Sequence, residues 1–116
     1  MMDTGRARAA NPLRGEVALQ LAGRELVLRP SFAALVAAEA EVGPLFGLIE
    51  RAGEGRLTLH ELAAVLWHCL DEVPGSSDRE AFGEALLAEG LAAVMPAFRQ
   101  LAVAILGGHL KGGPGA

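Results

Sequence analysis

The sequence predicts a mainly α, α+β protein, in which an N-terminal β-hairpin is followed by about five short helices packed around a central helix near residues 58–70. Three observations predict it. Period-two alternation is confined to the stretch between Gly15 and Arg29, and apolar residues elsewhere recur at helical spacing. The composition is 52% hydrophobic but only 4% aromatic, which suits closely packed Ala- and Leu-rich helices better than a β-sandwich.

A length of 116 residues is that of one domain. Such a chain buries about 65% of its extended surface, enough for a core without metal or disulfide staples. Residues 1–13 hold little that could be buried and read as a flexible arm, residues 14–107 as one globular domain, and residues 108–116 as a flexible tail.

In the hairpin, Val17, Leu19 and Leu21 alternate with polar or small residues, and Leu26 and Leu28 do likewise. A type II′ turn at Gly23–Arg24 would pair Leu21 with Leu26 and Leu19 with Leu28. Ser31 is placed to cap a first helix, Phe32 to about Val42, in which Phe32, Leu35, Val36 and Glu39 share one side. Gly43–Pro44 breaks it, and a second helix to about Ala52 presents Leu45, Leu48 and Ile49.

The central helix opens on Thr58 and Glu61, spaced as a capping box. Leu59, Leu62, Ala63, Leu66, Cys69 and Leu70 form its apolar stripe. Val65 and Trp67 lie off that stripe, so the helix should be covered on more than one side. Ser77 and Glu80 suggest a second capping box, opening a fourth helix that carries Phe82, Ala85, Leu86 and Glu89. After Gly90 comes the longest stripe of the chain, Leu91, Val94, Met95, Phe98, Leu101, Ala102 and Ile105. Pro96 interrupts it and predicts either a kink or a start near Met95.

Chemical signatures are missing. The twelve residues from Glu50 to Glu61 imitate a calcium loop, with Gly55 sixth and Glu61 twelfth, but Ala52 stands where an oxygen ligand is required. His60 and His68 lie about two turns apart on one helix and are too distant to chelate a metal with Cys69. Of the paired carboxylates, Glu39/Glu41 reads as a solvated helix face and Asp71/Glu72 as a helix-exit loop. No phosphate loop or nucleophile–base arrangement occurs, so no catalytic, metal or cofactor-binding residues are assigned and an enzyme is not expected.

The formal charge is −4 and the ten Lys and Arg are scattered, apart from Arg6, Arg8 and Arg14, which argues against nucleic acid as a partner. The sequence has no signal-peptide run and no apolar segment of membrane-spanning length, so a cytoplasmic protein with no membrane partner is expected. Cys69, alone on a helical stripe, should be a buried thiol. The apolar surplus off the stripes, at Val65, Trp67, Leu87, Val103 and Leu106, points to an interaction protein.

The order RGEV, hairpin, LRPSFAAL, GRLTLHELAAVLWHCL, LLAEGLAAVMP resembles the small tail protein of gene transfer agents and related tailed phages, over about Arg14 to Gly107. That family is grouped with tail assembly chaperones and is also labelled a tail tube protein. The resemblance implies a non-enzymatic assembly factor that binds the tape-measure protein, and possibly the tail tube protein. The alternative it implies is a structural subunit of the tail of a gene transfer agent or prophage particle. A chaperone of this kind requires an apolar groove or edge. From periodicity the candidates are Trp67, Phe98, Leu101 and Ile105, together with the free hairpin edges, and the same surfaces could serve self-association.

Overall fold

In a computed structural model, residues 9–73 and 78–107 are described. A short 3-10 turn, Pro12–Arg14, leads into β1 (Val17–Leu21) and β2 (Arg24–Leu28). Five helices follow: α1 (Phe32–Val42), α2 (Leu45–Gly53), α3 (Leu59–Cys69), α4 (Arg79–Glu89) and α5 (Leu91–Gly107). This is the mainly α architecture with a small β part that the patterning predicts.

The hairpin turns one residue earlier than expected. Val17 pairs with Leu28, Leu19 with Leu26 and Leu21 with Arg24, around Ala22–Gly23. Both turn residues have positive φ, 52° and 76°, as a type I′ turn requires. Gly23 thereby takes the second turn position, the one glycine favours in a type I′ turn. Because the correction is a shift of two positions, side-chain faces are unchanged. Val17, Leu19, Leu21, Leu26 and Leu28 are all buried together. Ala22 bears the cost, since its Cβ disfavours the left-handed region. Ala22→Gly is therefore expected to raise stability by about 0.5 kcal/mol, measured by urea unfolding.

Local signals start the helices. The Ser31 hydroxyl accepts from Ala34 N–H, 3.1 Å away. Thr58 and Glu61 form the reciprocal capping box, at 3.1 Å and 3.0 Å. The fourth helix is capped by Asp78, whose carboxylate accepts from Ala81 N–H at 2.8 Å. The expected cap, Ser77, lies outside the described residues. Helix α5 starts at Leu91 and carries Pro96 inside it, so the expected start near Met95 is corrected. Ala92, whose carbonyl loses its usual partner to the proline, is exposed to water that can replace it.

Helix α3 packs against α1 on one side and α4 on another, while α4 and α5 cover β1. Leu62, Ala64, Val65, Leu66 and Cys69 of α3 are buried, so the expected cover on more than one side holds for Val65. Leu59, read as the first member of the stripe, is instead 48% exposed. Burial pushes the Cys69 thiol up to about 12, so it stays protonated at neutral pH. The chain leaving α3 borders β2: Arg29 N–H donates to Cys69 C=O at 2.6 Å, and Asp71 N–H to Val27 C=O at 2.8 Å. Among the described residues, no strand pairs with the outer edge of β1. No single described helix is long and apolar enough to cross a membrane.

Candidate functional site

Helix α1 meets its neighbours through small residues. Ala38 is fully buried, and Ala34 and Val42, each one turn away, are partly so. The bulkier side that the sequence marks out faces elsewhere: Phe32 is 84% exposed and Val36 48%. Helix α2 divides similarly. Leu45 and Leu48 enter the core, and Phe46 projects outward, 75% exposed.

These outward faces converge. Helices α1 and α2 meet at 76°. Glu39 fixes the corner, its Oε2 accepting from Leu45 N–H at 3.1 Å and supplying the first turn of α2 with an acceptor that Pro44 lacks. The last turns of α5 bring Ile105 and Leu106 alongside. The result is an open apolar groove of about 200 Å³ between α1, α2 and α5, flanked by Phe32 and Phe46 and lined by Ile49 and Ile105. Among the described residues, Glu39 is the one charged residue of its lining.

The structure separates the residues singled out from the sequence. Phe98 and Leu101 are 3% and 0% exposed and belong to the core, so as docking residues they are corrected. The strongest stripe in a small protein is the one the core takes. Ile105, further along the same helix, is partly buried and lines the groove. Trp67 is partly buried between α3 and α4, edge-on to Phe82 with ring centroids 5.5 Å apart, with the Arg79 guanidinium 5.7 Å above its ring. Of the off-stripe residues, Leu87, Val103 and Leu106 are exposed. Phe32 and Phe46 flank the groove without being sequence candidates; Phe46, a bulky aromatic in an aromatic-poor chain and outside the Leu45, Leu48 and Ile49 set of its helix, is the usable signal.

Two polar nodes hold the helices that carry the groove. Arg79 of α4 donates to both oxygens of Glu41 on α1, at 2.7 Å and 2.9 Å. His68 Nε2 lies 2.9 Å from the same carboxylate and His60 Nε2 3.2 Å. The hydrogen bonds from Arg79, then that from His68, hold the Glu41 carboxyl at about 2. Two histidines eight positions apart thus meet at one glutamate from another helix. In the second node, Arg51 of α2 donates to both oxygens of Glu61 at 2.9 Å and 2.7 Å, and the Thr58 cap adds a third bond. Arg51 first, then Thr58, holds Glu61 at about 2. The last carboxylate of the imitation calcium loop is therefore engaged in pinning α2 to α3. Among the described residues, no group of three or more His, Cys, Asp or Glu is arranged to hold a metal.

Residues 14–108 match the family described as phage tail tube protein, GTA-gp10. The chain belongs to that family. Membership assigns it to the small tail proteins of phages and gene transfer agents, and the matched segment contains both strands and α1 to α5. No curated protein and no solved structure matches the chain. The groove between α1, α2 and α5 is thus read from its own geometry.

Proposed function

We propose that this family member is a non-enzymatic tail assembly chaperone, which binds the tape-measure protein in the cytoplasm while the tail is built. The observation that carries the reading is the pair of aromatic side chains, Phe32 and Phe46, left in water beside an apolar groove. Burying such a side chain is worth about 1.5–3 kcal/mol, so a domain that leaves two uncovered gains on docking what it forgoes on folding. A long helical client offers the apolar surface to match.

A structural tail subunit is the second reading, favoured by the family's description as a tail tube protein and by the outer edge of β1. Against it, among the described residues each strand has five residues and the sheet two strands. A tube lumen lined by sheet requires longer and more numerous strands. Light-scattering size analysis tests the choice, on the protein alone and after co-expression with the tape-measure protein. A discrete species that joins and solubilises the tape measure is expected. Rings or open polymers formed by the protein alone, indifferent to the tape measure, would transfer the assignment to the structural role.

A further inference from the structure

We propose that the groove takes an amphipathic helix whose apolar stripe is flanked by Lys or Arg. The inference rests on the chaperone reading, for which it names the chemistry of the client segment at the same groove.

The conformation follows from what the groove lacks. Its lining is helical on all three sides, from α1, α2 and α5, and contains no strand edge. An extended segment lying there would find no ladder for the N–H and C=O groups it turns toward the groove, and each one buried unpaired costs free energy. A helix satisfies its backbone internally. It presents side chains at i, i+3, i+4 and i+7, which can interleave with Phe32, Val36, Phe46 and Ile49.

The flanking charge follows from the rim. Among the described residues Glu39 is the only charged one of the lining, and Glu50, exposed one turn beyond Phe46, extends the acidic side. The last described turn of α5, which carries Leu106, adds no basic residue. A cationic flank is attracted to this rim. A second copy of the chain, at net charge −4 and docking face to face, would set the same acidic rim against itself.

The test uses the full chain and a fluorescent 18-residue helical peptide with a Leu stripe flanked by Lys, against the same peptide with Glu for each Lys. In fluorescence polarisation the Lys peptide is expected to bind, about tenfold more tightly than the Glu peptide at low salt, with the difference shrinking as salt rises. Phe32→Ser combined with Phe46→Ser should weaken the Lys peptide about tenfold or more. Both residues are exposed, so circular dichroism and Trp67 fluorescence should stay unchanged in that variant. Glu39→Gln keeps the acceptor for Leu45 N–H and should flatten the salt dependence. Equal binding of the two peptides, binding indifferent to the Phe variants, or a dimer that the Phe variants dissolve would each overturn the inference. Two further outcomes separate it from the chaperone reading. Tape-measure capture undiminished by the Phe variants sinks the groove and leaves the chaperone; Lys-peptide binding without tape-measure capture sinks the chaperone and leaves the groove.

Discussion

Leu66→Ala is expected to lower the free energy of unfolding by about 3 kcal/mol and the melting temperature by about 15 °C. Leu66 lies mid-way along α3 and is 0% exposed. The cost of such a truncation depends on how far the surroundings collapse into the space left. Here they are held. The Thr58–Glu61 capping box and the Arg51 ion pair fix the start of α3, and the bonds between the Cys69–Asp71 segment and β2 fix its end. The helix cannot slide to fill the void, which places the effect in the middle of the usual range and not at its foot. Leu87→Ala, at a position 49% exposed, should cost less than about 0.5 kcal/mol. Urea midpoints for the two variants check both. A loss below about 1 kcal/mol for Leu66→Ala would mean that α3 is not the helix around which the core is built.

The sequence was most legible where one physical demand acted alone. Capping chemistry is local, so Ser31 and Thr58 could be read directly, and both sit at the N-caps observed. Strand alternation is local too, and the buried leucine face of the hairpin follows from it. The register was not local. It turned on whether Ala22 would accept a left-handed conformation, which alternation cannot report, because a shift of two positions buries the same face in either register.

Helix faces illustrate the same limit. Phe32, Leu35 and Val36 do share a side of α1, yet α3 docks on the opposite, alanine-rich side, where small residues let two helices come close. A one-dimensional pattern shows that a stripe exists and not which neighbour will cover it. This is also why Phe98 and Leu101, though periodic, do not make a docking face. Their periodicity measured burial, whereas a docking face is built from what the core leaves over, as at Phe32, Phe46 and Leu106. The Glu41 node was beyond sequence reasoning altogether. Its four residues are brought from α1, α3 and α4 by packing, with no motif spacing to announce them.

Arg79→Ala is expected to cost about 2 kcal/mol, more than an exposed ion pair and less than a fully buried one. The substitution removes both hydrogen bonds to Glu41 and the guanidinium above Trp67, and it loosens α1 from α4. Combined with Glu41→Gln, the two losses should fall short of additivity by about 1 kcal/mol, because each already removes their shared contact. The same contact sets a pH dependence whose sign is fixed. Glu41 and Glu61 are both held at about 2, below the ordinary 4.5. A depressed carboxyl binds fewer protons folded than unfolded. The stability it confers is therefore complete above about pH 5 and lost as pH falls toward about 2. The urea midpoint of the unmodified protein should fall steeply across that window, and Arg79→Ala with Arg51→Ala should flatten the fall. An unchanged slope in the double variant would mean that other carboxylates drive acid unfolding, and that the two nodes align the helices without stabilising them.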